Sequence, residues 1–535
     1  MSTDLPTPSS TRDVSGALTL DTVLDRSRTA ADDARAAGPA ARAAWLTAAA
    51  AALDAASATL VPVAARESRL PEARLSGELR RTTFQLRLFA ERLESGALDE
   101  VQIDHADADW PMGTRPDIRR TTVPLGPVLV FAAGNFPFAF SVMGGDTASA
   151  LAAGCSVVVK AHPGHPELSR LTAATVRAAL DEASAPTDLL QLVEGEQAGA
   201  DAVRDHRIKA VGFTGSTRGG RYLFDLAAAR PDPIPFYGEL GSTNPVIVTQ
   251  AGWTERAGEI AAGFADSSTL GSGQFCTQPG VVFLPDVDAF LSALPDMTAG
   301  PMLNDRIEQG YERSLEDLGS RDRVEIARRC PGGEGEPDVV LLRTTAEAVR
   351  ADPSLISTEV FGPASLLVAY NSPDDIESAL AGFEGSLTGT VQAAETHDPD
   401  GHRMLDLLAR HAGRVIWNQW PTGVTVSDAQ QHGGPWPAST APTTTSVGTA
   451  AVRRFRRPLA FQNVPSTALP LELRDDHDTA RTCEDPKGVD PGGRIGEVVG
   501  ADPDSASGRG SPSVRGTSPT TGSRTSREGD EASAS

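Results

Sequence analysis

The sequence has few cysteines, and they are scattered. Its 535 residues include four, Cys155, Cys276, Cys330 and Cys483, with no CxxC pair among them. Small secreted domains held by disulfides carry many closely spaced cysteines, so the sequence excludes that class. The first 13 residues contain neither a basic stretch nor an apolar one, so no signal peptide is expected. These absences together predict a cytoplasmic protein.

Long apolar runs and an excess of positive charge are also missing. No apolar run approaches the roughly 18–20 residues that a membrane-spanning helix needs. Lysine and arginine total 48 against 71 aspartate and glutamate residues, which gives a net charge of −23. Because nucleic acids and anionic membranes repel such a surface, we expect neither as a partner.

The length of the chain exceeds what one small core accommodates, so two or three domains are expected. Short runs rich in β-branched residues alternate with helical segments both before and after residue 241. This alternation is typical of βαβ units around a buried parallel sheet. We therefore predict two open α/β domains, which bind ligands at the carboxyl ends of their strands.

Two glycine-flanked turns present reactive side chains. Gly271–Thr277 presents Cys276, and Gly238–Gly241 presents Glu239. A thiolate can attack a carbonyl to form a covalent intermediate, and a carboxylate can activate the water that hydrolyses it. Taken singly, each residue has a simpler interpretation, because a lone cysteine is often a small buried apolar residue and a lone glutamate is usually solvated.

A further glycine-rich turn and a lysine predict a nucleotide site. Phe213–Gly220 follows a predicted strand and opens a helix, and Gly215 and Gly220 allow close backbone approach to a phosphate at the helix N-terminus. Such turns are common in α/β proteins. Lys160 ends another strand and could reach a ribose or a phosphate. The following segment, Ala161–Pro166, has no carboxylate to repel a 2′-phosphate, which leaves NADP possible.

Six segments match the aldehyde dehydrogenase superfamily in order and in rough spacing. They are Asn135-Phe136-Pro137, Lys160 after three valines, the Phe-Thr-Gly-Ser-Thr turn at 213–217, Glu239-Leu240-Gly241, Gly273-Gln274-Phe275-Cys276 and Glu359-Val-Phe-Gly-Pro363. The resemblance covers roughly residues 20 to 474. Finer features, such as Pro421-Thr-Gly-Val424 and His432-Gly-Gly-Pro-Trp-Pro437, resemble the α-ketoglutarate semialdehyde (2,5-dioxopentanoate) dehydrogenases, whose relatives include NADP-dependent aliphatic aldehyde dehydrogenases.

The resemblance implies catalytic roles for three residues. Cys276 would be the nucleophile, and Glu239 would activate the water that hydrolyses the thioester. The side-chain amide of Asn135 and the backbone N–H of Cys276 would stabilise the oxyanion. Many family members carry a second glutamate near the C-terminus, but this sequence has His432-Gly-Gly-Pro there.

The resemblance also implies how NADP or NAD would bind. Lys160 would hold the adenosine ribose, Gly215, Ser216 and Gly220 would lie at the pyrophosphate, Glu359 would bind the nicotinamide ribose, and Phe361 would lie against the nicotinamide ring. NADP is expected to be accepted as well as or better than NAD, with the 2′-phosphate near His162, His165 and Arg218. No metal is required.

The implied reaction is the oxidation of a small aldehyde to a carboxylic acid, with 2,5-dioxopentanoate as the favoured substrate. Phe136 and Arg81 are the candidate substrate-binding residues. Arg81 shares a helical face with Gln85 and could hold the distal carboxylate with a bidentate fork. A salt bridge between Arg81 and Glu78 is the structural alternative for this arginine.

Three alternatives for the function remain open at this stage. The first is an NADP-dependent aliphatic aldehyde dehydrogenase. The second is a reductase of the same fold that transfers the acyl group to CoA or phosphate; such enzymes commonly lack the base, so Glu239 speaks against it. The third is a non-catalytic oligomeric protein that keeps the fold.

The resemblance also predicts a domain division and a homodimer or homotetramer. The predicted parts are a flexible arm (1–16), an NAD(P)-binding domain (17–103 and 125–241), an oligomerisation element (104–124 and 457–474), a catalytic domain (242–456) and a disordered tail (475–535). The tail has the composition of a segment that cannot bury enough apolar surface to fold.

Overall fold

The computed structural model of the protein describes residues 18–476. The predicted N-terminal arm and residues 477–535 of the predicted tail lie outside this range. Within it, the α-helices are Leu20–Ala36 (α1), Pro39–Ala55 (α2), Ser57–Ser68 (α3), Glu72–Glu94 (α4), Gly145–Ala153 (α5), Pro166–Glu182 (α6), Glu196–Arg204 (α7), Thr217–Ala228 (α8), Gln250–Thr269 (α9), Val287–Ala293 (α10), Asp305–Gly319 (α11), Ala346–Ala351 (α12), Ser354–Ser357 (α13), Pro373–Leu380 (α14) and Pro399–Leu408 (α15).

The strands form three separate sheets. In chain order they are Gln102–Asp104 (β1), Ile118–Pro124 (β2), Val128–Phe131 (β3), Val157–Lys160 (β4), Leu190–Val193 (β5), Ala210–Thr214 (β6), Phe236–Glu239 (β7), Val246–Val248 (β8), Val281–Leu284 (β9), Glu325–Cys330 (β10), Val339–Thr345 (β11), Ala364–Ala369 (β12), Ser386–Gln392 (β13), Ala412–Trp417 (β14) and Arg456–Gln462 (β15).

The first large sheet has five parallel strands in the order β5-β4-β3-β6-β7. Strands β3 and β4 are buried along their whole length. Helices cover both faces of such a sheet, which is why these strands read as unbroken apolar runs in the sequence. Lys160 ends β4 and Glu239 ends β7, so both residues lie at the carboxyl edge, as predicted.

The second large sheet has seven strands in the order β10-β11-β12-β9-β8-β13-β14. All neighbours are parallel except β10, which pairs antiparallel with β11 at one edge. The expectation of two α/β domains is confirmed, but the second sheet is not purely parallel. Strand β10 is polar and half exposed, and an antiparallel edge strand is a common addition to a parallel sheet.

The third sheet is small and antiparallel, with the order β1-β2-β15. It joins the two segments that the sequence predicts as an oligomerisation element, a role that stays a prediction. Arg119 of β2 donates from Nη1 to Leu473 O and to Asp475 Oδ1, each at 2.7 Å. Asp475 therefore binds this sheet, although it was predicted to begin the disordered tail.

The N-terminal helices pack on the five-stranded sheet. Thr19 caps α1 through its side chain, and Pro39 opens α2, where its missing N–H costs nothing. The region from 19 to 65 lies in three helices, because α3 begins separately at Ser57. No single helix in residues 18–476 is long and apolar enough to cross a membrane; α2 and α3 meet the length and composition criteria together, at a bend of 73°.

Candidate active site

One cleft of about 1020 Å³ brings most of the predicted site residues together. Its walls come from loops that follow strands of both large sheets. The predicted residues that line it are Asn135, Phe136, Lys160, Gly215, Ser216, Glu239, Cys276, Glu359 and Phe361. This is the position expected for a ligand site at the carboxyl ends of parallel strands.

The loop before the cysteine has a backbone that only small residues tolerate. Gly271, Ser272 and Gly273 all have left-handed conformations, with φ of 56°, 58° and 66°. A Cβ atom at Gly273 would lie 2.2 Å from the carbonyl oxygen of Gly362. Glycine is therefore required at this position for the loop to approach the Glu359–Pro363 segment.

A buried asparagine holds the same loop from the other side. The Nδ2 atom of Asn244 donates to Cys276 O at 2.8 Å and to Gln278 O at 2.9 Å. Its Oδ1 atom accepts from the hydroxyls of Ser242 and Thr388, at 2.8 and 3.0 Å. Because every one of these bonds is internal, Asn244 fixes the backbone that carries the thiol. The sequence analysis did not identify this residue.

The cysteine sulfur lies beside a histidine that the sequence analysis did not assign to the site. The distance from Cys276 Sγ to His432 Nε2 is 3.6 Å. Burial lowers the pKa of His432 to about 3, with further lowering by Arg414, Arg81 and Arg454. The imidazole is therefore neutral at physiological pH. The sequence signal for it was present, since His432 stands in the segment where many family members carry their second glutamate.

Burial also raises the pKa of Cys276, to about 12, and the nearby Glu359 and Glu239 carboxylates add to this. The guanidinium of Arg414 and the cysteine's own backbone N–H act in the opposite direction. At neutral pH the resting site therefore holds a thiol. Since only the thiolate is a strong nucleophile, a base must remove this proton before attack.

Asn135 points its amide at the cysteine loop. Its Nδ2 atom donates to Gln274 O at 3.0 Å, and its backbone oxygen accepts from Arg74 Nη2 at 2.8 Å. A side-chain amide nitrogen carries two N–H groups, and the bond to Gln274 uses one of them. The second is the one that could face an oxyanion on the aldehyde.

Glu239 belongs to a fully buried group of charges. Its Oε1 atom accepts a hydrogen bond from Arg454 Nη2, and Arg454 Nη1 also lies 3.4 Å from Asp146 Oδ1. The side chain of Arg454 is 0% exposed. Burial raises the pKa of Glu239 to about 7, and the charge of Arg454 moderates that rise. The carboxyl group is thus able to take and release protons near neutral pH.

Most of the residues predicted to bind a cofactor line the cleft. Ser216 caps α8 by accepting from the Gly219 backbone N–H at 3.3 Å. Gly219 lines the cleft, whereas Gly220 packs its helix against Leu240, whose Cδ2 atom would lie 2.2 Å from an added Cβ. Gly220 therefore allows close packing of α8 against Leu240, and its predicted pyrophosphate contact stays a prediction.

Glu359 lies across the turn that follows Glu239. Its Oε1 atom accepts from the Ser242 backbone N–H at 3.3 Å, and its Oε2 atom would be 2.5 Å from a Cβ atom at Gly241. Burial raises the pKa of Glu359 to about 7. The absence of a side chain at Gly241 allows this close approach, which brings the loops of the two large sheets together.

An aromatic wall, formed by Phe136, Phe140 and Phe275, lies near the cysteine. Phe136 stacks edge-on against Phe140 and Phe275, with ring centroids 5.4 and 5.1 Å apart. The guanidinium of Arg81 lies over the ring of Phe140, 5.4 Å from the ring centroid. Aromatic faces attract such cations. The wall therefore combines an apolar surface with positive charge.

Arg81 does not form the salt bridge with Glu78 that was its structural alternative. Glu78 Oε1 instead accepts from the backbone N–H groups of Phe138 and Ala139, at 2.8 and 2.9 Å. Arg81 donates from Nη2 to Val424 O at 3.5 Å, and its buried Nη1 atom has no partner within the described residues. Arg81 does not line the cleft itself, but its charge acts on Cys276 and its Nη1 atom is left without a hydrogen-bond partner in the described part of the chain.

A match to a family model decides the assignment of this fold and cleft. Residues 10–435 match the aldehyde dehydrogenase family. The chain belongs to this family. In residues 18–476, no group of three or more histidine, cysteine, aspartate or glutamate side chains is placed to hold a metal ion.

Two relatives of this aldehyde dehydrogenase share one name. An α-ketoglutaric semialdehyde dehydrogenase of Azospirillum brasilense is 43% identical over 435 residues, which are 79% of this chain and 82% of the relative. One from Acinetobacter baylyi is 41% identical over 430 residues, 78% of this chain and 81% of the relative.

Solved structures share the fold at lower identity. A glyceraldehyde-3-phosphate dehydrogenase of Methanocaldococcus jannaschii complexed with NADP matches with a TM-score of 0.69 and 17% identity, over 83% of this chain and 93% of that one. An NAD-dependent aldehyde dehydrogenase of Sinorhizobium meliloti matches with a TM-score of 0.68 and 20% identity, over 83% and 87%. These matches show the fold, and the family match with the two named relatives shows that the protein is an oxidoreductase that acts on aldehydes.

The buried charge group generates a prediction about stability. Replacing Arg454 with methionine leaves Glu239 and Asp146 buried without their shared cation. Removing one partner of a buried ion pair typically costs about 3–5 kcal/mol. We expect a loss of that size in the free energy of unfolding, measured by guanidinium chloride denaturation followed by tryptophan fluorescence.

The neighbouring arginine provides the matched control. Arg453 pairs with Glu100, but its side chain is 68% exposed. Exposed pairs contribute about 0–1 kcal/mol, so Arg453→Met should unfold almost as the wild type does. Equal stabilities for the two variants would show that the Arg454 cation is not needed by the carboxylates around it.

Proposed function

We propose that this enzyme oxidises 2,5-dioxopentanoate, the α-ketoglutaric semialdehyde, to 2-oxoglutarate through a thioester on Cys276. Two relatives with 41% and 43% identity carry this substrate in their names. The observation that supports the substrate best is the buried, unpartnered Nη1 atom of Arg81, a half-buried arginine whose charge acts on Cys276. A carboxylate at the far end of the aldehyde would give that guanidinium its counter-charge.

The first step of the proposed reaction begins with the thiol. The Cys276 thiol first loses its proton to solvent in the cleft, and the neutral imidazole of His432 lies 3.6 Å from Sγ. The thiolate then forms a bond to the aldehyde carbon, whose oxygen takes the electron pair and becomes an oxyanion. The second N–H of Asn135 and the backbone N–H of Cys276 stabilise this oxyanion, by about 3–4 kcal/mol per donor.

The cleft fits a nicotinamide dinucleotide. Glycine backbones and the N-terminus of α8 line one end of it, a combination that suits a pyrophosphate. We propose that Lys160, Gly215 and Ser216 hold the adenosine and phosphate groups, and that Glu359 and Phe361 hold the nicotinamide end. The chemistry that a bound nicotinamide supplies is acceptance of the hydride from the aldehyde carbon, which leaves the acyl group on Sγ as a thioester.

Hydrolysis of the thioester completes the proposed cycle. Glu239 takes a proton from a water molecule as the water oxygen bonds to the acyl carbon. The C–S bond then breaks, the electron pair returns to Cys276, and the carboxylate product leaves. A carboxyl group whose pKa is raised to about 7 suits this task, because it is partly ionised at neutral pH and strong enough as a base.

Substitution of Arg81 tests the proposed substrate. We expect Arg81→Ala to lower kcat/KM for 2,5-dioxopentanoate. The expected loss corresponds to roughly 1.5–3 kcal/mol of binding free energy, the contribution of a hydrogen bond to a charged group. The loss should arise mainly in KM. Pentanal, an aldehyde of the same carbon number without a carboxylate, should be affected much less. Steady-state kinetics with both aldehydes provide the measurement.

Arg80 provides the matched control, since it is exposed on the same helix. Arg80→Ala should behave as the wild type with both aldehydes. Equal losses for the two aldehydes in Arg81→Ala would assign Arg81 to the fold instead of to the substrate. A wild-type preference for pentanal would favour the aliphatic aldehyde dehydrogenase alternative.

We also propose that the enzyme accepts NADP as well as or better than NAD. Lys160 and His162 line the cleft, and no carboxylate occurs in Ala161–Pro166. Glu196 reaches the same wall from α7, but Arg306 neutralises it at 3.1 Å. His165, one of the residues predicted near the 2′-phosphate, bonds instead to Ala133 O at 2.9 Å.

His162 has the donor that a phosphate needs. Its Nδ1 atom accepts from the Gly164 backbone N–H at 3.0 Å. Burial lowers the pKa of His162 to about 3, so the ring is neutral and its proton lies on Nε2. Together with Arg306, this N–H would favour the 2′-phosphate of NADP.

Arg306→Met should lower kcat/KM for NADP more than for NAD, because it removes a cation and exposes the charge of Glu196. A reduction of about tenfold in the NADP/NAD ratio is expected for one lost charged hydrogen bond. The exposed Arg313 lies on the same helix, and Arg313→Met should leave the ratio unchanged. A strong NAD preference in the wild type would contradict the proposal.

A further inference from the structure

A second arginine lies near the cysteine without a carboxylate of its own. Arg414 stands in β14, and the described residues place no carboxylate within ion-pair distance of it. Its Nη2 atom donates to Pro421 O at 2.7 Å and to Gly423 O at 3.0 Å. Its Nε atom is buried and has no hydrogen-bond partner in residues 18–476. This guanidinium is thus oriented by carbonyl groups while part of its donor edge is unused.

Arg414 and Arg81 are bound to the same short loop. The carbonyl oxygen of Val424 accepts from Arg81 Nη2, three residues after the Pro421 carbonyl that accepts from Arg414. Each arginine therefore uses one terminal nitrogen to bind residues 421–424, and each keeps another nitrogen that is buried and unpartnered.

The same loop is hydrogen-bonded to the residue that follows the nucleophile. Gly423 N donates to the hydroxyl of Thr277, the residue after Cys276, at 3.1 Å. The Thr422 hydroxyl donates to Ser267 O at 3.0 Å in the helix that leads to the cysteine loop. Residues 421–424 thus fix both guanidinium groups at a set position relative to the sulfur.

The positive charges of Arg81 and Arg414 favour the binding of an anion between them and the cysteine. Burial lowers the pKa of both arginines, which reflects the cost of a cation away from water. Glu78 offsets part of that cost for Arg81, whereas among the described residues Arg414 has only Cys276, which offsets it when ionised. Buried cations of this kind are ordinarily paired. Both arginines lower the pKa of His432, so this imidazole is neutral and adds no further charge.

We propose that Arg414 and Arg81 together form the binding site for the distal carboxylate of the substrate, with the loop 421–424 as its support. The proposal rests on the proposed function and extends it. It names Arg414 as a specificity-determining residue, and it names the substrate class as aldehydes that carry a carboxylate at the end remote from the reacting carbon. Two guanidinium groups give such a carboxylate more donors than either gives alone.

A pair of variants at Arg414 tests this proposal. Arg414→Met should lower kcat/KM for 2,5-dioxopentanoate by about 10- to 100-fold, as expected for a lost charged hydrogen bond, and should weaken competitive inhibition by 2-oxoglutarate to a similar degree. Pentanal turnover should change by less than about threefold. Arg414→Lys keeps the charge without the fork and should fall between the two. The exposed Arg410 supplies the control variant, Arg410→Met, which should match the wild type.

Chain length gives a second measurement that does not need a folded Arg414→Met protein. Two arginines at a set distance from Sγ predict that wild-type kcat/KM for ω-oxo acids has an optimum length. The value of kcat/KM should be highest near five carbons and lower for the four- and six-carbon semialdehydes. With Arg414→Lys this optimum should flatten. A wild-type profile without an optimum would overturn the proposal.

The outcomes separate this proposal from the proposed function. A wild type that favours 2,5-dioxopentanoate over pentanal, with Arg414→Met losing activity equally on both, would overturn the role of Arg414 and leave the substrate assignment intact. A wild type that favours pentanal would overturn the substrate assignment, and the arginine site with it. Selective loss with the acidic aldehyde alone supports both.

Discussion

The arrangement of the active site depends on one fully buried guanidinium. Arg454 contacts Glu239 at the end of β7 and Asp146 at the start of α5, and its Nε atom donates to Thr444 Oγ1 at 3.0 Å. These groups come from parts of the chain that are far apart in sequence. Since a buried charge needs partners, the contacts of Arg454 hold the C-terminal segment 449–455 against the end of the five-stranded sheet. The cation also keeps the raised pKa of Glu239 near neutrality instead of higher.

The thiol depends on a different kind of constraint, which is backbone geometry. Three successive left-handed residues and the close approach of Gly273 to Gly362 define the loop, and the Asn244 amide fixes its carbonyl groups. These interactions are short-range and uncharged. The site thus separates two tasks: hydrogen bonds position the sulfur, and buried charges set the proton affinity of the groups around it.

Much of this could be predicted from the sequence. The buried strands, the helix starts at Thr19 and Pro39, and the turns that carry Glu239 and Cys276 all have local signals in composition and in glycine placement. Asn244 and Arg454, which were missed, lack such signals, whereas His432 had one in the segment that replaces the second glutamate. Asn244 lies in a loop and Arg454 in a short 3-10 helix, and the roles of all three residues arise from contacts that span 32, 215 and, for His432, 156 residues. Gly220 shows that a glycine in such a turn can also be needed for helix packing, which its sequence pattern alone does not reveal.

The central claim is that Cys276 carries the acyl group. Rapid mixing of the Glu239→Gln protein with NADP and 2,5-dioxopentanoate, acid quenching and peptide mass spectrometry tests it most directly. The account predicts an acyl adduct on the peptide that contains Cys276, because hydrolysis is slowed when water has no base. An unmodified Cys276 peptide after reduced cofactor has formed, or an adduct on Cys155 instead, would contradict it.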